Sequence, residues 1–249
     1  MMMFDGKVFA AEIEEKIKQK VAGTERAPKL VTIYDPKDTA SRIYTNIKAK
    51  KAGELGILFE EIQTSDLTAE QIKSEILKLN KDKTVDGIMV QTPIEGQADL
   101  IKLIDPKKDA DGLRDDSRFI PATVRAVTAI LGLSQISGDK TVAVVGSRGM
   151  TGMRVMAQLA AEGYTVWGMD QEDFDSSRLL LADIIISCTG RPGLIKSEMV
   201  KEGAVCIDVG YPKGDFEAEV SQKAAFFTPV PGGVGPVTVA MLFANLVDS

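Results

Sequence analysis

The chain has 249 residues, 44% of them hydrophobic and 27% charged, which is enough to bury one large core or two modest ones. It contains no histidine, which excludes histidine-based catalytic triads, histidine general bases and the usual zinc sites. Its formal charge of −6, without a long basic run, argues against a nucleic-acid surface and favours small-molecule partners.

The N-terminal segment and the two cysteines indicate the compartment. Charged residues begin at Asp5 and no apolar run approaches the length of a membrane span, so the sequence predicts no signal peptide, no membrane anchor and a cytoplasmic protein. Cys188 and Cys206 lie in or beside apolar runs without a CxxC spacing, which predicts small buried side chains rather than a disulfide.

Strands and helices alternate through the first half of the chain. Helical spacing of apolar residues predicts an amphipathic helix at 9–21 and further helices at 41–55, 68–79 and 100–104. Short apolar runs predict strands at 30–34, 57–62 and 87–91. Gly56 is placed to cap the second helix, and Thr68 with Gln71 forms a capping box for the third. This alternation predicts right-handed crossovers and a parallel sheet.

The second half alternates in the same way. Pro121 opens a helix that reaches residue 131, because proline suits the first helical position. Predicted strands follow at 141–145, 164–167, 184–187, 205–209 and 226–228, with helices at 151–163, 197–201 and 237–247. Two α/β lobes joined near 113–121, with a ligand cleft between them, are the simplest architecture.

A glycine turn joins the strand at 141–145 to the next helix. Gly146, Gly149 and Gly152 form it, and such a turn aims backbone N–H groups and the positive end of a helix dipole at one point, where a phosphate can bind. The GxxGxxG spacing differs from GxGxxG, and ordinary strand-to-helix packing explains it equally well. Asp170, just past the following strand, is either placed to hydrogen-bond an adenosine ribose hydroxyl or is an ordinary loop acid.

Tyr44 and Lys48 form the most chemically distinctive pair. They lie four residues apart on one helix and share a face, and apolar walls with neighbouring cations would lower the pKa of the lysine and free its amine for proton chemistry. The alternative is a solvated basic helix with an ordinary amphipathic tyrosine. The segment PVPGGVGP at 229–236 suits neither helix nor central strand, so it is either a rigid loop at a ligand or a stiff connector to the last helix.

Eight segments occur in the order and spacing of one known family. They are SRIYTNIKAKKAGELGI, DGIMVQTPIEG, DADGL, FIPAT, VAVVGSRGMTG, ADIIISCTGRPG, GAVCIDVG and TPVPGGVGPVT. Together they closely resemble the bifunctional methylenetetrahydrofolate dehydrogenase/methenyltetrahydrofolate cyclohydrolase family over nearly the whole chain. The most specific parts are PVPGGVGPVT and the YxxxK of Tyr44 and Lys48.

The resemblance implies a two-lobed α/β fold. A folate-binding lobe at 1–118 plus 237–249 would accompany a Rossmann-type, doubly wound parallel-sheet lobe at 119–236. The implied activity is oxidation of 5,10-methylenetetrahydrofolate with NAD(P), followed by hydrolysis to 10-formyltetrahydrofolate without a metal. The resemblance also implies a homodimer that acts in one-carbon metabolism and purine biosynthesis.

The matching motifs also imply roles for individual residues. The lysine of YxxxK, here Lys48, is the family's catalytic centre, and Tyr44 packs against the folate. Gln91 holds and tunes the lysine, and Asp111 of the DxDG motif binds the pterin edge. The loop residues that border the folate site are Pro231, Gly232 and Gly233.

The implied dinucleotide site takes its residues from the glycine turn and from the TGRPG segment: Gly146, Ser147, Arg148, Gly149, Met150, Gly152, Asp170, Thr189 and Gly190. The family typically reads GRS, with the arginine on an NADP phosphate, where this chain reads GSR. Asp170 occupies roughly the place of a serine that helps to hold that phosphate, and a carboxylate repels a phosphate. The resemblance therefore implies NADP, and Asp170 makes NAD its rival.

Two departures from the family keep other hypotheses open. The family commonly shows PCTP and QLPLP where this chain has PATV at 121–124 and QTPIE at 91–95. These changes favour a dehydrogenase with a weakened cyclohydrolase. A non-enzymatic folate- or nucleotide-binding regulator is the third hypothesis, although binding alone gives no reason to retain Lys48.

Overall fold

The computed structural model describes residues 2–134 and 139–248, which form two compact units. The three-stranded unit comprises Ala11–Ala122 and Val239–Ser249, and the six-stranded unit comprises Met1–Ala10 and Thr123–Thr238. Each unit is named after its sheet. These clusters differ from the sequence-based domains in grouping residues 1–10 with the later part of the chain, and the functional domain boundaries remain a prediction.

The three-stranded unit is built from strand–helix repeats. Strands β2, β3 and β4 lie in the order β3-β2-β4 and all pair in parallel, as the alternation predicts. Apolar side chains of β2 and β4 are buried with those of α3 and α4. The elements are α1 (Gly6–Ala22), β2 (Lys29–Tyr34), α2 (Thr39–Leu55), β3 (Leu58–Gln63), α3 (Ala69–Lys81), β4 (Gly87–Val90) and α4 (Gln97–Leu103).

Two predicted helix ends are confirmed. Thr68 accepts a hydrogen bond from Gln71 N, and the Gln71 side chain bonds the Thr68 backbone, which completes the capping box of α3. Gly56 ends α2 with φ of 75°, a left-handed conformation that glycine adopts without a Cβ clash. Both caps fix where the helices begin or end relative to the strands.

The six-stranded unit contains one parallel sheet in the order β1-β9-β8-β7-β5-β6. Its central strands β5, β7 and β8 are almost entirely buried, which explains their unbroken apolar sequences. The elements are β1 (Met2–Met3), α5 (Ala122–Leu133), β5 (Thr141–Val145), α6 (Met150–Ala161), β6 (Thr165–Met169), α7 (Ser176–Leu179), β7 (Ile184–Ser187), β8 (Val205–Asp208), α8 (Val220–Lys223), β9 (Phe226–Phe227) and α9 (Val234–Val247).

Two sequence-based assignments are wrong in detail. The helix predicted at 197–201 is only a short 3-10 turn, Ser197–Met199, because Val200 is fully buried in an extended conformation. The last helix begins at Val234 rather than 237, since Pro236 fits the first turn, where its missing N–H removes no helical bond. The short elements β1, α7 and α8 have no counterpart in the sequence prediction. No helix within 2–134 and 139–248 has the length and apolarity needed to cross a bilayer.

Candidate active site

Lys48 lies on the buried face of α2. The buried residues of this helix are Ser41, Thr45, Lys48, Ala52 and Leu55, which recur at intervals of three and four residues. Lys48 takes a place in that stripe that an apolar residue would normally fill, and it is only 7% exposed. The helix therefore places an ionisable amine among side chains that exclude water.

The amine of Lys48 points at the end of strand β4. Its Nζ donates to Oε1 of Gln91, the residue directly after β4, over 2.6 Å, and lies 3.5 Å from Sδ of Met89. The Gln91 amide nitrogen donates to the Thr92 carbonyl over 3.0 Å, an orientation that leaves Oε1 for the lysine. Gln91 therefore positions the amine through a short, buried hydrogen bond.

Burial controls the charge of this amine. It lowers the pKa of Lys48 from its usual value near 10.5 to about 8, because the protonated form loses its hydration, while the negative charge of Asp111 acts in the opposite direction. A minority of Lys48 molecules, on the order of a tenth to a fifth, is then neutral near physiological pH. A neutral amine can accept a proton, which an exposed lysine can rarely do.

Tyr44 and Asp111 accompany Lys48 in the three-stranded unit. The Lys48 nitrogen lies 5.9 Å from the centre of the Tyr44 ring, as expected for residues four apart on a helix. Asp111 follows Asp109, which forms a parallel bridge with Ile88 of β4. Ala122 N donates to the Asp111 carbonyl over 3.2 Å, which anchors the loop beside the strand end. Four predicted site residues, Tyr44, Lys48, Gln91 and Asp111, are therefore brought together.

The glycine turn of the six-stranded unit is closely packed. Gly146 has φ of 84°, and a Cβ there would lie 2.8 Å from the carbonyl oxygen of Cys188. A Cβ on Gly152 would overlap the carbonyl oxygen of Gly146. Helix α6 begins at Met150 behind Gly149, which has no side chain to bond the first amides. The turn thus presents amides and the positive end of a helix to a ligand.

A cavity of about 450 Å³ lies beside this turn. Gly146 and Gly149 line it together with Asp170 at the end of β6, and Thr189 and Arg191 line it from the segment after β7. Its volume and its position outside the carboxyl ends of parallel strands suit a dinucleotide. The helix amides can hold a pyrophosphate and a carboxylate can accept from a ribose hydroxyl, so the residues present fit that cofactor.

Asp170 is tied to the glycine turn. Its Oδ2 accepts from Ser147 Oγ over 2.6 Å and from Arg148 N over 3.0 Å. The Arg148 guanidinium contacts Oε2 of Glu172 at 2.8 Å and Oδ2 of Asp173 at 2.9 Å. Carboxylates therefore hold the side chains of both Ser147 and Arg148.

Asp215 holds the loop after β7, from which Thr189 lines the cavity. Its Oδ2 accepts from the backbone N and the Oγ1 of Thr189, each over 2.8 Å, and from Gly190 N over 3.3 Å. Ser187 Oγ also donates to this oxygen over 2.7 Å. These bonds fix the loop after β7. The sequence analysis missed Asp215 because it lies far along the chain and belongs to no local pattern.

A second buried carboxylate accompanies Asp215. Asp208 ends β8, is 1% exposed and accepts from Gly210 N over 2.8 Å. A Cβ on Gly210 would lie 2.5 Å from Oδ1 of Asp215 and 2.9 Å from Oδ1 of Asp208. The two carboxylate oxygens therefore lie close to the same position, beside the backbone of Gly210. Burial, with a further contribution from the charge of Asp215, raises the pKa of Asp208 to about 6.

The segment PGGVGP at 231–236 lies in the six-stranded unit, and the sequence-based description of it as unsuited to a helix is wrong for its last three residues, which form the first turn of α9. Gly233 N donates to the Pro229 carbonyl over 2.7 Å, and Gly6 N donates to the Gly232 carbonyl over 2.9 Å. A Cβ on Gly233 would lie 2.6 Å from the Pro229 oxygen, so this backbone is tightly folded. Pro231, Gly232 and Gly233 thus lie in a rigid segment.

The remaining predicted dinucleotide residues have distinct positions. Gly190 donates to Asp215, and Met150 opens α6 with an exposed side chain. Cys188 is partly buried and lines the cavity, and Cys206 is buried; neither forms a disulfide. Cavity residues that the sequence analysis did not name as site residues are Val145, Gln171, Glu172, Phe174, Arg191 and Leu194.

Two family models cover most of the chain. The model described as the catalytic domain of tetrahydrofolate dehydrogenase/cyclohydrolase matches residues 4–111. The model described as the NAD(P)-binding domain of tetrahydrofolate dehydrogenase/cyclohydrolase matches residues 121–249.

Individual relatives match over nearly their whole length. The bifunctional protein FolD of Hydrogenobaculum sp. strain Y04AAS1 is 38% identical, and the match covers 100% of this chain and 98% of the relative. The crystal structure of the bifunctional FolD methylenetetrahydrofolate dehydrogenase/cyclohydrolase from Campylobacter jejuni is similar with a TM-score of 0.92 and 32% identity, covering 100% and 98% of the two chains. The Trypanosoma brucei N5,N10-methylenetetrahydrofolate dehydrogenase-cyclohydrolase, complexed with NADP and an inhibitor, has a TM-score of 0.89 and 31% identity, covering 98% and 95%.

Proposed function

This chain belongs to the tetrahydrofolate dehydrogenase/cyclohydrolase family, and we propose that it catalyses both reactions of that name. It oxidises 5,10-methylenetetrahydrofolate to 5,10-methenyltetrahydrofolate and then hydrolyses the product to 10-formyltetrahydrofolate. The observation that carries this proposal is the buried Lys48, whose amine is held by Gln91 and whose pKa is lowered to about 8. A chain that only bound folate would gain nothing from burying an ionisable amine at this position.

Lys48 assists the hydrolytic step. Water adds to the methenyl carbon and loses a proton, and the bond from that carbon to N5 breaks, which leaves the formyl group on N10. The neutral amine of Lys48 accepts the proton from the attacking water and returns it to the leaving nitrogen. Gln91 keeps the lone pair of the amine directed toward the substrate, because its Oε1 accepts one of the amine hydrogens.

Tyr44 and Asp111 position the folate. The Tyr44 ring, close to the Lys48 amine, provides a flat apolar surface for the pterin. The Asp111 carboxylate accepts paired hydrogen bonds from the pterin edge, and its charge keeps the pKa of Lys48 from falling further. Pro231, Gly232 and Gly233 border the folate in this proposal, where rigid backbone without bulky side chains permits close approach.

A nicotinamide dinucleotide, NADP or NAD, supplies the hydride acceptor when bound. Gly146, Gly149 and Gly152 let the turn approach the pyrophosphate, and the first amides of α6 at Met150 donate to it. Asp170 with Ser147 and Arg148 meets the adenosine ribose, and Thr189 with Gly190 holds the other edge of the cavity. The protein's contribution to hydride transfer is alignment of the two reacting carbons.

Steady-state assays on the full chain test this function. With 5,10-methylenetetrahydrofolate and either dinucleotide, reduced dinucleotide should form at a rate proportional to enzyme. With 5,10-methenyltetrahydrofolate alone, its absorbance should decay faster than in an enzyme-free control at the same pH and buffer. Dehydrogenase turnover without enzymatic hydrolysis would contradict the bifunctional assignment, and absence of both rates in folded protein would contradict the enzymatic one.

Assembly and cellular role form the remaining part of the proposal. The family resemblance supports a cytoplasmic homodimer that supplies one-carbon units for purine biosynthesis. Sedimentation equilibrium at micromolar concentration should give twice the chain mass of 26.8 kDa. A monomer across the concentration range of the activity assay would contradict that assembly.

A further inference from the structure

We propose that this chain prefers NAD to NADP and that Asp170 is the residue that sets this preference. The inference rests on the proposed function only in assuming that the cavity beside the glycine turn holds a nicotinamide dinucleotide. The two cofactors differ only in a phosphate on the 2′-oxygen of the adenosine ribose. The charges around that position therefore decide between them.

Asp170 occupies the position where a ribose hydroxyl would bind. It directly follows β6, which pairs with the strand that leads into the glycine turn, and its side chain is only 16% exposed. Both Ser147 Oγ and Arg148 N donate to its Oδ2, at 2.6 and 3.0 Å. The carboxylate is thus fixed in place, and a free 2′-hydroxyl can donate to it as a further partner.

The arginine beside Asp170 is already surrounded by acids. Arg148 contacts Glu172 and Asp173 at 2.8 and 2.9 Å, and its Nε lies 4.0 Å from Asp170. Three carboxylates therefore share one guanidinium. A 2′-phosphate would have to displace at least one of them from Arg148 and would leave that acid facing added negative charge.

Arg191 is the second cation at this cavity. Its Nη2 donates to Oε1 of Gln171, the residue after Asp170, so it approaches the same corner from the segment after β7. With Arg191 included, three acids still face two arginines. The net charge at the corner is negative before any phosphate arrives, and a dianionic group is repelled there.

Direct binding measurements test this preference apart from turnover. The dissociation constants of NADH and NADPH are measured by titrating the full-length protein and following nicotinamide fluorescence, without folate. The expected result is tighter NADH binding by on the order of 10- to 100-fold, because the 2′-phosphate of NADPH brings like charges together. Because salt screens the repulsion between the 2′-phosphate and the carboxylates, added salt should bring the dissociation constants of NADH and NADPH closer together.

Variants identify the residue responsible. Asp170→Asn removes the charge and keeps the shape, and Asp170→Ser restores a hydroxyl; each should raise NADPH affinity relative to NADH by at least about tenfold. Glu202→Ser is the matched control, because Glu202 is an exposed acid that does not line the cavity. It should leave the ratio unchanged, and circular dichroism shows whether each variant is folded.

Several outcomes would overturn the proposal. NADPH binding as tight as NADH in the unaltered protein contradicts it, and a selective loss of NADPH in Arg191→Gln would then assign the phosphate to Arg191. If both Asp170 variants are folded and keep the parental ratio of NADH to NADPH affinity, Asp170 does not set the preference. Tight NADH binding without any dehydrogenase rate would refute the proposed function while leaving this inference intact. No binding of either dinucleotide would refute both.

Discussion

The amine of Lys48 lies 2.6 Å from the side-chain oxygen of Gln91, and both residues are more than nine-tenths buried. One comes from the third turn of a helix and the other from the residue that follows a strand, so only the folded unit brings them together. A neutral amide accepts from the amine without adding charge. This pairing holds the amine in place yet leaves its pKa low.

The rate of hydrolysis should follow the ionisation of Lys48. If the free amine accepts the proton, the rate of methenyltetrahydrofolate hydrolysis rises with pH and is half-maximal near 8. Gln91→Glu places a carboxylate against the amine and should move that midpoint upward by about one unit or more, because an opposite charge stabilises the protonated form. The measurement is kcat/KM for hydrolysis between about pH 6 and 10, which spans the lowered pKa of Lys48 and most of the range below the ordinary lysine value.

Gln63→Glu is the control for this shift, since Gln63 is an exposed residue at the end of β3 in the same unit. It changes the net charge equally and should leave the midpoint in place. A rate that falls as pH rises through the midpoint, or identical profiles for the unaltered protein and Gln91→Glu, would rule out the free amine as the acting group.

Burial of Lys48 should reduce stability. Because its folded pKa is about 8 against 10.5 when exposed, protonated Lys48 destabilises the folded state by about 3 kcal/mol below pH 8, and this penalty fades as pH rises toward 10.5. Lys48→Met should therefore raise the free energy of unfolding at pH 7 by up to about 3 kcal/mol, less what the lost Gln91 bond contributed. Urea unfolding at pH 7 and 10 measures the difference, which should shrink at the higher pH. A variant less stable than the parent at pH 7 contradicts the expectation.

Packing of the glycine turn should affect the dehydrogenase reaction and leave the hydrolysis largely unchanged. In Gly152→Ala the new methyl group overlaps the Gly146 carbonyl, and overpacking of this kind costs about 1–3 kcal/mol, enough to distort the turn. We expect dinucleotide binding to weaken by roughly tenfold or more, with methenyltetrahydrofolate hydrolysis largely retained. Gly132→Ala in α5 is the control, because a Cβ there meets nothing within 4 Å. Equal loss of both reactions in folded Gly152→Ala would disprove the separation.

The buried pair Asp208 and Asp215 should make stability depend on pH. The raised pKa of Asp208 means that its ionisation disfavours the folded state, an effect absent below pH 3.8 and complete above about pH 6. Asp208→Asn removes that ionisation. Its amide nitrogen replaces an oxygen that accepts from Gly210 N or Phe216 N, so the variant loses one of those bonds at every pH, and only the pH-dependent part of its stability reports on Asp208. Relative to the parent, the variant should gain about 2 kcal/mol in unfolding free energy as the pH rises from 4 to 7, measured by urea unfolding at both pH values.

Asp183 provides a control, because its ionisation should stabilise the fold where that of Asp208 destabilises it. Its hydrogen bond with Lys201 lowers the pKa of Asp183 to about 2, so it stabilises the fold above pH 3.8 and loses that contribution as pH falls through 2. Asp183→Asn should therefore destabilise at pH 7 by about 2 kcal/mol. If both asparagine variants changed stability in the same direction with pH, the assignment of Asp208 would fail.

Local patterns in the sequence predicted most of the elements around the site. The capping box at Thr68 and the left-handed Gly56 are encoded within a few residues, so both are confirmed. The same holds for β7, whose continuous apolar run indicates burial on both faces. The 197–201 helix was wrong because helical spacing in a short segment cannot reveal that Val200 packs into the core in an extended conformation.

Side-chain partners separated by long stretches of chain could not be predicted in this way. The acids around Arg148 come from the loop after β6, and Asp215 reaches the Thr189 loop from beyond β8. Such pairings depend on strand order and on the path of each loop. Spacing along the chain placed Tyr44 with Lys48 on one helix face, but the Gln91 contact followed from family resemblance and not from periodicity.

The role of Lys48 is tested by comparing hydrolysis of 5,10-methenyltetrahydrofolate by Lys48→Met and by Lys50→Met. Lys50 is an exposed lysine on the same helix, two residues along, so the control loses the same charge outside the buried cluster. If Lys48 transfers the proton, Lys48→Met lowers kcat for hydrolysis by roughly 10²- to 10⁴-fold, the usual contribution of general acid–base catalysis, while Lys50→Met keeps the parental rate. Hydrolysis at the parental rate by folded Lys48→Met would show that Lys48 is not the proton-transferring group.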